Sequence, residues 1–186
     1  AEITLPQLGQ AIVNPARRIA ELARRRGAKR LLIPYGLHHG DLNSRNILVD
    51  QHGHICLIDF YKSRPGFVLL DAARLEADFR YEAQPVANEY LDEIRWIDTA
   101  LAAGRTAEIP GIDVRRSMEK RTRVAYRLRR LMAELYSLDD DAFTLIYRVA
   151  LISALVRQLG YGHLEPAMAE LAIAEIGDLV AGLEQQ

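Results

Sequence analysis

His39-Gly40-Asp41-Leu42-Asn43-Ser44-Arg45-Asn46, followed by Ile58-Asp59-Phe60, is the stretch that decides how this chain is read. Between the two motifs lie Ile47-Leu48-Val49, a turn signal at Asp50-Gln51-His52-Gly53, and a second apolar run, His54-Ile55-Cys56-Leu57-Ile58. Two short apolar runs flanking a polar turn with glycine read as a β-hairpin. Asn46 enters the first strand and Asp59 leaves the second, so closing the hairpin brings both to one end. Asp41 lies on the loop just before Asn46. Three ligand-type groups therefore converge on a rigid two-stranded base, and loops held by such a base commonly carry function.

One carboxylate, one short amide and a second carboxylate match the needs of phosphoryl transfer from a metal-bound nucleotide. The first acid sits against the attacking hydroxyl, and the other two groups hold magnesium. Asp41, Asn46 and Asp59 are the candidates. The pattern H-G-D-x-x-x-x-N, a hairpin and then I-D-F resembles the aminoglycoside phosphotransferase and choline kinase branch of the protein-kinase-like fold. The resemblance implies that Asp41 orients or deprotonates the acceptor, that Asn46 and Asp59 bind magnesium and the ATP phosphates, and that His39 braces the catalytic loop. Asn43 and Arg45 join Asp41 and His39 as candidate catalytic residues, with Arg45 either pairing a nearby acid or approaching the transferred phosphate. Asp71, in Leu70-Asp71-Ala72-Ala73, looks like the later structural aspartate that begins a helix and caps the loop. Gly40 stands where protein kinases carry arginine, which favours the small-molecule branch. A bacterial ternary-complex-associated domain of conflict systems also looks similar around His39 to Phe60.

The departures lie upstream. A complete kinase has a lobe of strands with a Gly-rich phosphate loop and a phosphate-reaching lysine. Only 38 residues precede His39, and Gly9, Gly27 and Gly36 are isolated among them. The chain looks like a C-terminal lobe without its partner. It opens on Ala1 rather than Met, as expected of a piece of a longer protein.

At 186 residues the chain is expected to form one domain: a helical lead-in over 1–37, the motifs over 38–71, and a helical body over 72–186. With 49% apolar and 26% charged residues it has the composition of a globular protein. A net charge of −1 gives no general pull toward nucleic acid or anionic membrane. Cys56, the single cysteine, reads as a small buried hydrophobe. A reducing cytoplasm is the expected compartment, and no signal peptide is visible. The apolar stretch from Ala142 to Leu159 is interrupted by Arg148 and Arg157 and reads as a core helix rather than a membrane span.

A first helix is expected from Asn14-Pro15 to Gly27, and a short strand at Lys29 to Ile33. Arg64-Pro65-Gly66 reads as a turn. Helices are expected over about 71–83, 86–103, 113–136, 140–159 and 164–184, with breaks at Gly104, Pro110-Gly111 and Gly160 to Gly162. Ser137-Leu138-Asp139-Asp140-Asp141 supplies an N-cap and an acidic first turn. Trp96 and Tyr81, Tyr90, Tyr126, Tyr136 and Tyr147 fall at core spacings.

Two charge runs stand out. Asp71, Glu76, Asp78, Glu82, Glu89, Asp92, Glu93 and Asp98 are acidic, and Arg115, Arg116, Lys120, Arg121, Arg123, Arg127, Arg129 and Arg130 are basic. The bland reading is solvated or mutually paired helix faces. The functional one is that the acids line a pocket for a cationic acceptor, as in aminoglycoside kinases, and that the bases meet phosphate, nucleic acid or a partner protein. His38, His39, His52 and His54 raise a histidine-metal alternative.

The expected fold class is thus α+β, mostly α: a kinase-like C-terminal lobe with a small hairpin at the catalytic loop and about five helices. Its expected function is transfer of the ATP γ-phosphoryl group to a hydroxyl-bearing small molecule, with a missing N-terminal lobe or partner protein completing the site and no membrane or nucleic-acid partner. The alternative is a catalytically inactive pseudokinase or interaction module in a multidomain bacterial protein.

Overall fold

A computed structural model describes residues 2–26, 32–82, 90–102 and 116–185. The chain opens with a hairpin, not a wholly helical lead-in: β1 (Glu2–Leu5) pairs antiparallel with β2 (Gln10–Val13). Its turn is docked by Glu170, whose carboxylate accepts from the backbone N–H of Gln7 at 2.7 Å and of Leu8 at 3.2 Å. Helix α1 (Pro15–Arg26) follows, with the Asn14 carbonyl oxygen of the side chain accepting from Ala16 N.

The expected strand before the motif lies later than its apolar run suggested. β3 is Tyr35–His38, and residues 29–31 are outside the described residues. Its antiparallel partner, β6 (Arg64–Phe67), is the segment expected to turn. Pro65 is tolerated because this sheet has only two strands, so its missing N–H breaks no interior ladder. Between them β4 (Ile47–Val49) and β5 (Ile55–Leu57) form the expected hairpin, with Ile47 opposite Leu57 and Val49 opposite Ile55.

The remainder is helical: α2 (Leu69–Tyr81), α3 (Leu91–Ala102), α4 (Arg116–Leu135), α5 (Asp140–Gly160) and α6 (Pro166–Glu184). The fold is α+β and mostly helical, as expected. Residues 83, 86–89, 103 and 113–115 of the expected helices, and the breaks at Gly27, Gly104 and Pro110-Gly111, lie outside the described residues. Helix α2 sits at the centre, packed by α4, α5 and α6, while α3 packs on α6. Leu69, Ile94, Leu151, Leu155, Leu171 and Leu179 are among its fully buried neighbours in one continuous core.

Among the described residues one helix, Asp140–Gly160, is long and apolar enough to cross a membrane by length and composition. Here its Phe143, Ile146, Leu151 and Leu155 are buried in the core against α2 and α6. The Asp139 carboxylate caps this helix, accepting from Ala142 N at 2.8 Å. Asp139→Ala is expected to cost about 1 kcal/mol of stability in urea unfolding, the usual worth of an N-cap.

Several side chains sit differently from expectation. Cys56 is exposed, and Trp96 is half exposed, so neither is core. Tyr81 and Tyr147 are buried as expected, while Tyr90 and Tyr136 are partly buried against the core. Of the acidic run, Glu76, Asp78 and Asp98 are buried rather than solvated, and Glu76 pairs with Arg129 of the basic run, the mutual pairing that was the other form of the bland reading.

Candidate functional site

The loop carrying Asp41 is held from behind by Asp71. This residue lies in the first turn of α2, and its carboxylate accepts from the backbone N–H groups of His39 and Gly40, the latter at 3.0 Å. The helix start thus ties down the loop. His39 braces it from the other side: Nε2 bonds the Ile58 carbonyl at 2.8 Å, and Nδ1 accepts from Asp41 N at 3.3 Å. A carbonyl only accepts, so the ring carries its proton on Nε2. The ring also lies 4.7 Å, centroid to centroid, from Phe60.

Asn43 and Asn46 converge on the Asp41 carbonyl, each donating its side-chain N–H, at 3.0 and 2.9 Å. Asn43 Oδ1 accepts from Arg45 N and caps the single helical turn Ser44–Asn46. Asn43 is thereby a loop-shaping residue, with both ends of its amide committed. Asn46 has spent its nitrogen on the Asp41 carbonyl, so Oδ1 is the atom that could hold a metal. The hairpin ladder extends one step past β4, with Ile58 N donating to the Asn46 carbonyl at 3.1 Å. Asp59 follows directly, exposed, in left-handed backbone conformation at φ 66° and making no cap hydrogen bond to the turn Phe60–Lys62. Asn46 and Asp59 therefore share the open end of the hairpin. Two hard oxygen donors, with water and phosphate completing the shell, suit magnesium.

Asp41 stands in an unexpected setting. Its carboxylate meets Lys62 Nζ at 2.6 Å, Arg74 Nη2 at 3.1 Å and Arg157 Nη2 at 3.6 Å. Partial burial pushes its pKa up, but the Lys62 hydrogen bond and the charges of Arg74, Lys62 and Arg157 outweigh this and hold it below the ordinary aspartate value. Arg45 pairs with Glu82 instead of facing the loop's acids. The sequence reading missed Lys62, Arg74 and Arg157. Lys62 and Arg74 each lie three residues beyond a motif aspartate, Asp59 and Asp71, a spacing that could have flagged them. Arg157 is on α5, and nothing local marks it.

Among the described residues no three His, Cys, Asp or Glu side chains are grouped to hold a metal ion, which gives the histidine-metal alternative no site there. His52 and His54 flank the hairpin turn with His54 bound to Asp50.

The family model described as ternary complex associated domain 9 matches residues 5–160. The chain belongs to this family. The matched stretch takes in the Asp41 loop, Asp59, Asp71 and all three cations around Asp41, so the whole site lies within the ternary complex associated domain, while α6 lies beyond it. Comparison with curated proteins and with solved structures finds no match.

Proposed function

We propose that this ternary complex associated domain is the acceptor-side half of a kinase-like phosphotransferase, passing the ATP γ-phosphoryl group to a hydroxyl of a small molecule. The observation that carries the reading is the joining of Asp41, Asn46 and Asp59 on one loop-and-hairpin unit clamped by Asp71 and His39. Magnesium, when bound, would neutralise the phosphates between Asn46 Oδ1 and the Asp59 carboxylate. Asp41 then orients the acceptor hydroxyl and takes its proton. A loose transition state transfers that proton late, so a carboxylate held at low pKa still serves, chiefly by positioning.

The phosphate-gripping element comes from elsewhere in this proposal. Tyr35 and Leu37 on β3, Leu48 and Val49 on β4, and Ile55 and Leu57 on β5 are all exposed, as are Phe60 and Tyr61 beside Asp59. Adjacent strand residues face opposite sides, so neither face of the β4–β5 hairpin is covered. A nucleotide-binding lobe or partner protein seated there would bury this surface, and a family described as associated with a ternary complex fits that arrangement. The same exposed surface favours the second reading, an interaction module without catalysis. The exposed thiol of Cys56 fits a reducing cytoplasm.

Isothermal titration with magnesium and ATP tests the assignment. Asp59→Ala should lose magnesium-dependent nucleotide binding. An affinity equal to that of the unaltered chain would remove Asp59 from the metal site and leave the interaction module standing.

A further inference from the structure

Of the acids expected to recognise a cationic acceptor, the two that line the cleft beside Asp41 (Asp78 and Glu82) are spoken for. Glu76 and Asp98 are fully buried in the core. Asp78 accepts from Ser44 N at 2.7 Å, and Glu82 is engaged by Arg45, by His163 at 3.1 Å and by Gln158 at 3.5 Å. A cleft of about 370 Å³ opens beside Asp41, and its uncommitted charge is positive. Lys62 comes from the turn after Asp59, Arg74 from α2 and Arg157 from α5, so three separate elements aim cations at one spot. Asp41 is the one carboxylate bonded to all three.

Arg45 and Glu82 cancel, and Lys62, Arg74 and Arg157 against Asp41 and Asp78 leave one net positive charge in the lining, gathered at Asp41. The crowding is visible in Arg74, whose pKa is lowered by burial and then by the Arg157 charge. Both guanidiniums approach the same Asp41 oxygen, Oδ1, and Arg157 is further steadied by Nε donating to the Tyr161 hydroxyl at 2.6 Å. Arginine forks set around a partly desolvated point match the geometry of phosphate and carboxylate. The cleft is at the small end of ligand sites, which fits a metabolite rather than a large cation.

We propose that the acceptor carries an oxyanion, held by Lys62, Arg74 and Arg157 next to the hydroxyl that Asp41 orients. The inference rests on the phosphotransferase reading for the role of Asp41, but anion binding in the cleft is measurable without nucleotide. In the bound state the oxyanion takes over the cations that Asp41 shares in its absence. Phosphate monoesters and carboxylates are the two forms of this chemistry, and glycerol 3-phosphate is the probe.

Titration calorimetry of the 186-residue chain at low salt, with glycerol and spermidine as neutral and cationic controls, gives the test. Glycerol 3-phosphate should bind and the controls should not. Arg157→Gln should weaken it about tenfold, the scale of one charge-assisted contact, and Asp41→Asn should tighten it about tenfold by removing the competing carboxylate. Misfolding cannot mimic that tightening. Glycerol 3-phosphate binding is measured without magnesium or nucleotide, so failure of the metal assignment and failure of the anion site are read separately. Spermidine binding in preference, an Asp41→Asn chain with unchanged or weaker affinity, or an Arg157→Gln effect confined to magnesium-ATP would each overturn the proposal. The last outcome would assign the cations to the transferred phosphate.

Discussion

Arg80→Ala should leave a chain that barely folds at neutral pH. Arg80 is fully buried on α2 and joins three carboxylates: Glu76 at 2.8 Å, Asp98 at 2.7 Å and Glu175 at 2.8 Å. Glu76 is also forked by Arg129, at 2.9 and 2.6 Å, and accepts from the Tyr147 hydroxyl at 2.9 Å. The network thus holds three acids and two guanidiniums. Burial, with the Asp98 charge adding to it against the pull of Arg80, raises the Glu175 pKa. The Tyr81 hydroxyl lies between Asp98 and Glu175 and contacts both.

Deleting one partner of a buried ion pair costs about 3–5 kcal/mol, and here three acids lose their link at once. Against a typical total of about 5–15 kcal/mol, that is most of the stability. Urea unfolding of Arg80→Ala should show a midpoint shifted far down or no cooperative transition. Glu175→Gln should behave oppositely. A raised folded-state pKa gives stability that is present below the ordinary glutamate pKa and fades as pH rises toward the raised value. The glutamine variant lacks that decline, so relative to the parent it should gain as pH goes from 4 to 7. A Glu175→Gln chain as unstable as Arg80→Ala would mean that Glu175 contributes as a charged partner of Arg80.

This network shows where sequence reading stopped. Apolar periodicity placed the helices of the body, because each buries a face that repeats at helical spacing, and the Asp139 cap was legible as a local signal. The hairpin was legible because its two strands and turn are adjacent in sequence, whereas the Asp71 clamp, which reaches back 31 residues to Gly40, was expected only from the family resemblance. For Glu76 and Asp98 the sequence left solvated and mutually paired faces open, because the partners that decide it come from α2, α4 and α6 and carry no local mark. Arg157 is in the same position, a long-range partner with no local mark. Cys56 failed in the other direction: an apolar run reports what a strand could bury, not whether anything covers it. The opening hairpin was within reach, since Ile3, Leu5 and Ile12 sit at strand alternation around Pro6 and Gly9, but no strand is expected ahead of the helix start at Pro15.

Gly40→Ala should damage the site more than any change to its charged groups of similar size. Gly40 has φ +79°, where a side chain costs about 1–2 kcal/mol. A Cβ there would also lie 2.4 Å from the Lys62 carbonyl oxygen, a backbone atom that cannot rotate away. Overpacking of this kind adds about 1–3 kcal/mol. Gly53 separates the two terms: its φ is +83°, yet a Cβ meets nothing within 4 Å, so Gly53→Ala carries the strain alone. Thermal unfolding should therefore rank Gly40→Ala clearly below Gly53→Ala, and equal losses would mean the Lys62 turn gives way freely. The functional cost follows from what Gly40 connects. Its N–H is held by Asp71, its carbonyl accepts from Arg74, and the turn it abuts carries Lys62 to Asp41. Relieving the contact requires a shift of about 1 Å between the loop and that turn, and displacement on that scale at reacting groups can cost about 100-fold in rate. Gly53→Ala, at the far end of the hairpin, should leave glycerol 3-phosphate and magnesium-ATP binding intact, while Gly40→Ala should weaken both, because Asp41 and the turn that follows Asp59 are positioned through the same contact.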